Sequence, residues 1–111
     1  MKKRDKEKLA FLRNRINVAR NRAIPKEVKV TAEYLFKIGQ MQGWRCNLSK
    51  RWLTFIKPGT IYDRTPTNCS IDRISSKRGY VHGNIQLVCW EDNNRKHAMS
   101  NIQYKKRMGY I

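Results

Sequence analysis

Acidic residues are scarce in this chain. Eight Asp and Glu face 25 Lys and Arg in 111 residues, a formal charge of +17 at neutral pH. A surface of that sign calls for an anionic partner, and nucleic acid is the default. Long apolar runs are also missing. No stretch approaches the roughly 20 residues of a membrane-spanning helix, so no membrane partner is expected. The basic start, Met1 to Lys8, leads into no long apolar run. No secretory signal is therefore read, and the expected site of action is intracellular, in the cytoplasm. Cysteines are few and scattered: Cys46, Cys69 and Cys89 form no C-x-x-C pair. An odd count without a secretion signal argues against a disulfide framework. A structural zinc site needs about four ligands, and only His82 and His97 could supplement the thiols. Structural zinc is thus not expected, and the cysteines read as buried or half-buried free thiols. Without secretion, the sequons at Asn47 and Asn68 carry no weight.

The length fits one small domain with a modest core, and 40% apolar residues is enough to fold it. The first 22 residues hold nine basic and two acidic side chains. Leu9, Leu12, Ile16 and Ala19 recur at spacings of three and four, which predicts an amphipathic helix with a thin apolar stripe. Arg13, Arg15, Arg20 and Arg22 lie elsewhere around it, as a solvated face or a DNA-backbone contact arm; the whole-chain charge favours the second. Pro25 breaks the pattern. "TAEYLFKIGQMQGW" predicts a second helix capped by Thr31, with Tyr34, Leu35, Ile38 and Met41 on one face and Gly43 as its stop. "RCNLSKRWLTFIKPG" is rich in strand formers at Trp52, Leu53, Phe55 and Ile56, and Pro58-Gly59 marks a turn. "TIYDRTPTN" has no periodicity and reads as a loop.

The stretch from Ser70 to Ser100 carries the chemistry. "CSIDRI" predicts a short strand, "SSKRGY" a turn, and "NIQLVC" a second strand with Ile85, Leu87 and Cys89 on one side. "WEDNNRKHAM" predicts a helix, acidic at its start and basic at its end, as the helix dipole favours. Ser100 can cap a last helix bearing Lys105, Lys106 and Arg107. Asp72 would leave the first strand, while Asn93 and His97, four apart on the helix, would share a face. A carboxylate oxygen, an amide oxygen and an imidazole nitrogen make a divalent-cation site of hard character, suited to Mg²⁺ or Mn²⁺.

The series S-I-D-R-I … G-Y … N-I-Q-L-V-C … N-x-x-K resembles the HNH, or ββα-metal (His-Me finger), endonucleases, in their phage and intron-associated branch. "WRCNLS" at 44–49 is similar to the hairpin that commonly precedes that motif. The resemblance covers about half the chain. It implies a ββα-metal motif at 45–100 and does not assign the N-terminal third; with the basic helical region at 1–44 and the basic helix at 101–111 read above from periodicity and capping, the expected fold is α+β, one small single domain. The resemblance implies a metal-dependent endonuclease acting on double-stranded DNA, as monomer or homodimer, in a host cell if the chain is phage-encoded. Asp72 matches the metal-binding carboxylate, Asn93 the helix ligand, and His97 the third ligand of branches with two helix ligands. Asn84 matches the Asn that ties the loop and orients the catalytic group. Lys96 would face phosphate.

One position departs from the pattern. Most of the family carries His after the Asp as general base, and Arg73 stands there instead. Arginine stays protonated and cannot serve as the base, but it can clamp a phosphate. Either metal-bound water is acidic enough alone, or the base comes from Tyr62, His82, or His97 if it is no ligand; spacing does not choose among them. Two other readings compete. In the first, the chain is a catalytically inactive HNH-like DNA-binding module that lost its base. In the second, it is a small structural nucleic-acid-binding protein, and the Asp72, Asn84, Asn93 order is coincidence. Each residue also has an ordinary role open to it: Asp72 in an ion pair with Arg73 or Arg78, Asn84 in a turn, Lys96 at the surface.

Overall fold

A computed structural model describes residues 1–21, 27–57 and 65–111. Pro25, Arg22, Pro58-Gly59 and Tyr62 lie outside the described residues. Within them the fold is α+β, with four helices and a two-stranded antiparallel sheet. Helix α1 spans Lys3–Arg20, and Leu9, Leu12, Ile16 and Ala19 are its buried residues, the stripe the spacing predicts. Helix α2 spans Ala32–Met41, and the Thr31 side chain accepts a hydrogen bond from the Tyr34 N–H as its cap. Gly43 follows with φ +65, the left-handed residue that ends the helix. Leu35 is sealed and Tyr34 and Ile38 are half-buried, but Met41 is exposed. It sits at the helix end, where the next residue, Gln42, turns inward instead.

Strands β1 (Cys69–Arg73) and β2 (Ile85–Cys89) pair antiparallel, with Asp72 opposite Gln86 and Ile71 opposite Leu87. All five β2 residues are buried. The outer edge of β2 is closed without a third strand. The Gln42 side chain exchanges two hydrogen bonds with the Leu87 backbone, at 2.8 and 3.0 Å, and the Asn47 N–H donates to the Leu87 carbonyl. A buried edge must be satisfied in some such way.

The strand expected through Trp52, Leu53, Phe55 and Ile56 does not form. The segment makes a tight hairpin, joined by an Arg45–Trp52 bridge and closed by Lys50 at φ +65. Beyond it, Thr54 bridges Asn68 in parallel. Trp52 and Ile56 are exposed. Their apolar character is not matched by a sheet face to cover them, so strand propensity alone is overruled.

Helix α3 spans Trp90–Lys96, with Glu91 and Asp92 in its first turn and Arg95 and Lys96 in its last. It stops three residues sooner than "WEDNNRKHAM" suggests. Ser100 starts helix α4 (Asn101–Met108) with a complete capping box to Gln103, so the chain must turn between Lys96 and Ser100. One core cluster runs from Leu9 in α1 to Tyr104 in α4, so the basic flanking helices share the core of the central unit. No helix among the described residues is long and apolar enough to cross a membrane.

Gly39 is set by a close approach. A methyl group there would overlap the Trp44 ring, which fills the space over the helix. Alanine is ordinarily favoured over glycine in a helix by about 1 kcal/mol. Here Gly39→Ala is expected to destabilise by about 1–3 kcal/mol through overpacking, read as a lower thermal midpoint.

Candidate functional site

Helix α3 has only seven residues and cannot stand alone in water. Two buried carboxylates hold it. Asp92, in its first turn, is fully buried. Its Oδ1 accepts from the Tyr104 hydroxyl at 2.7 Å and the Tyr110 hydroxyl at 3.0 Å. Its Oδ2 accepts from Cys89 Sγ at 2.9 Å, Cys46 Sγ at 3.3 Å and Arg51 Nη2 at 3.2 Å. Burial works to raise the Asp92 pKa, but the hydrogen bonds from Cys89, Tyr104, Ser49 and Cys46 outweigh it and hold the carboxyl well below its usual range. Burial and the bond to Asp92 push the Tyr104 hydroxyl the other way.

One turn later Lys96 is just as buried, at 1% exposure. Its Nζ lies 2.9 Å from Asp72 Oδ2 and 3.4 Å from the Arg73 carbonyl. The Gln86 amide donates to the same Oδ2 at 2.8 Å and is itself fixed by Asn101 and Asn47. Asp72 therefore pairs with Lys96, not with Arg73 or Arg78. Lys96, expected to face phosphate, sits beneath the site instead of on the surface. Asp92 and Lys96 are four apart, so one helix face is spent on anchoring.

The neighbouring face carries Asn93 and His97. Both line a cleft of about 350 Å³ together with Ile71, Asp72, Arg73, Ser76, Tyr80 and Ala98. Asp72, Arg73, Asn93 and His97, taken from two strands' distance in sequence, meet there. The Asn93 amide nitrogen donates to Ser70 Oγ at 2.6 Å and more weakly to the Ile71 carbonyl at 3.4 Å. That turns its nitrogen to the sheet and leaves Oδ1 for a ligand. Asp72 Oδ1 likewise takes no hydrogen bond from the described residues. Arg73 gives Nη1 to the Ser76 and Arg78 carbonyls, at 2.7 and 3.1 Å, and lies over the Tyr80 ring. Its Nη2 and Nε make no hydrogen bond to the described residues.

His97 is not the last residue of a continuing helix but its C-cap, at φ 50 and ψ −125. That region suits glycine and strains any side chain by about 1–3 kcal/mol. Asn84 binds the loop from both sides. Its Oδ1 accepts from the Ser75 N–H, and its amide donates to the Ser75 and Gly79 carbonyls.

The remaining expected residues are elsewhere. His82 is exposed and stacks on Tyr34 of α2, with ring centroids 3.8 Å apart, and does not line the cleft. Tyr62 and Arg22 lie outside the described residues. Arg13 pairs with Glu33 at 3.0 Å, an exposed contact of little energetic weight. Arg15 is half-buried beside Phe11, and Arg20 is exposed. Lys106 and Arg107 are exposed and Lys105 half-buried. The residues the sequence did not single out are Gln86, Asp92 and Tyr104. Only the acidic start of α3 hinted at Asp92, and as a dipole effect.

The cleft offers a hard oxygen and nitrogen set, with Asp72 Oδ1 and Asn93 Oδ1 unbonded among the described residues, of a kind that fits Mg²⁺ or Mn²⁺. The adjacent Lys96 ammonium and Arg73 guanidinium oppose a bare cation and favour one that arrives with an anion.

Three outcomes are expected. Lys96→Met leaves Asp72 buried without its partner and should cost about 3–5 kcal/mol, measured by urea unfolding. His97→Gly relieves the backbone and should raise the urea midpoint by the equivalent of about 1 kcal/mol; a fall would mean that contacts of the imidazole outweigh the strain. The depressed Asp92 carboxyl stabilises the fold above its ordinary value of 3.8 and loses that contribution as pH falls below it. Stability should thus drop between about pH 5 and about pH 2, and Asp92→Asn, less stable at neutral pH, should show a flatter acid limb. Set against protein-family models, curated proteins and solved structures, this chain finds no match.

Proposed function

We propose that the protein is a metal-dependent DNA endonuclease of the HNH type, which hydrolyses phosphodiester bonds from the cleft beside β1. The observation that carries this reading is the shared cleft of Asp72, Arg73, Asn93 and His97. Those are residues that the sequence motif singles out.

Asp72 Oδ1, Asn93 Oδ1 and a ring nitrogen of His97 would hold the divalent cation. Bound there, the cation supplies Lewis-acid stabilisation of the scissile phosphate and the leaving 3′ oxygen. The chain's own part is positioning. Lys96 and Gln86 fix Asp72 through Oδ2 and leave Oδ1 for the cation. Arg73, steadied through Nη1, offers Nη2 and Nε to a phosphate as a fork. Asn84 keeps the 75–79 loop under Arg73. Tyr62 and His97 are the base candidates, and His97 serves only if it is not a ligand. His82, stacked against α2, is set aside for that role. The strained His97 supports the reading, because strain at a side chain of this kind is retained where the side chain is used. Exposed basic residues of α1 and α4 would supply affinity for duplex DNA.

Supercoiled plasmid with Mg²⁺ or Mn²⁺ should be nicked, and EDTA should stop it. Asp72→Ala should abolish nicking, and Arg73→Ala should slow it about 100-fold, the scale of losing one charge-stabilising donor. DNA affinity should fall steeply with salt, by about 10³-fold or more between roughly 50 and 200 mM if six or more phosphates are contacted. No cleavage in any metal, with salt-sensitive binding intact, would overturn the catalytic reading in favour of a binding module.

A further inference from the structure

The Asp92 cluster is crowded in a way that hydrogen bonding alone accounts for poorly. Cys46 Sγ, Cys89 Sγ and a carboxylate oxygen of Asp92 all lie within 4.8 Å of one another, and all three residues are buried. Asp92 Oδ2 takes three donors: both sulfurs and Arg51 Nη2. A carboxylate oxygen has two lone-pair sites, so three donors crowd it, and Arg51 Nη2 reaches Cys89 Sγ as well, at 3.0 Å. The tyrosines on Oδ1 fix the carboxylate and aim Oδ2 at the sulfurs. Independently, the Ser49 backbone N–H points at Cys46 Sγ at 3.5 Å. A thiol is a weak acceptor, whereas a thiolate uses such a donor well.

We infer that Cys46, Cys89 and Asp92 form a second cation site, distinct from the cleft and built for a borderline-soft divalent ion of the zinc class. Two sulfurs and one oxygen are the ligand set that such an ion selects, and Mg²⁺ does not. The fit is close. With metal–sulfur bonds of about 2.3 Å and a metal–oxygen bond of about 2.0 Å, tetrahedral ligand atoms stand about 3.5 Å apart. Cys46 Sγ and Cys89 Sγ are 3.3 and 2.9 Å from Oδ2, so they need outward shifts of about 0.2 and 0.6 Å. The ion would displace the Arg51 guanidinium from Asp92 Oδ2, Cys89 Sγ and Ser49 Oγ, and the 37% exposed side chain keeps Glu91, at 3.2 Å, as its partner outside.

The charge balances. Each thiol releases its proton to solvent as a sulfur–metal bond forms, so two protons leave for one divalent ion and no electrons move. The site is closed to substrate, which makes it structural, not catalytic. It would clamp the 45–52 hairpin to the end of β2 and the start of α3. This proposal runs against the expectation that structural zinc is absent and the cysteines are free thiols.

The test is titration of the reduced, full-length protein with Co²⁺, followed by Zn²⁺. One equivalent of Co²⁺ should give a thiolate-to-cobalt charge-transfer band that Zn²⁺ bleaches, and Zn²⁺ should raise the thermal midpoint. Cys46→Ser and Cys89→Ser should lose the band, while Cys69→Ala keeps it. Oxygen and imidazole ligands in the cleft give no thiolate band, so this result is read separately from the nuclease activity. Wild-type protein with no band, and with a midpoint unmoved by Zn²⁺ or chelator, would overturn the inference and leave Arg51 as the resident cation. A band that survives Cys46→Ser or Cys89→Ser would also overturn it.

Discussion

Everything at the cleft depends on the buried carboxylate of Asp92. It is fully enclosed and takes hydrogen bonds from Cys46, Arg51, Cys89, Tyr104 and Tyr110. These partners come from the hairpin, β2, α4 and the C-terminal turn. A short helix gains little from its own hydrogen bonds, so its orientation must be imposed from outside. Asp92 imposes it at one end and Lys96, through Asp72, at the other. With that face fixed, helical geometry leaves Asn93 and the cap residue His97 facing the cleft.

The cleft's charge follows from the same arrangement. One carboxylate, Asp72, pairs with the ammonium of Lys96 and shares the cleft with the guanidinium of Arg73. Formally these sum to a single positive charge. Under the proposed reading a divalent cation alone is therefore held weakly, and a cation with a phosphate is held well. The basic surface is then more than a general attraction for DNA, because the phosphate completes the charge balance of the site. Lys96 also explains why Asp72 tolerates burial, since an unpaired carboxylate there would be costly.

Much of the fold was legible in the sequence. The apolar stripe of α1, the Thr31 and Ser100 caps, and the two strands with α3 after them follow from periodicity and local chemistry, which act within a few residues. The convergence of Asp72, Asn93 and His97 was legible too, although His97 arrives as a strained cap and not as a helical residue. Three things were not. The apolar run from Trp52 to Ile56 looks like a strand, but it makes only isolated bridges, Arg45–Trp52 and Thr54–Asn68, and the outer edge of β2 is taken by the side chain of Gln42 and the backbone of Asn47. Nothing in Asn-x-x-Lys separates a surface cation from one buried against a carboxylate 24 residues earlier. The Asp92 cluster draws on residues from Cys46 to Tyr110, a span over which spacing carries no signal.

The chain has two histidines, and only one lines the cleft. That gives the most direct measurement of the central claim, that Asp72, Asn93 and His97 form one cation site. Proton resonances of the two imidazoles would be followed by NMR while Mn²⁺ is added well below one equivalent. The account predicts that His97 broadens first and His82 stays sharp, and that Asp72→Asn removes the difference. Equal broadening of both rings, or broadening of His82 alone, would contradict it.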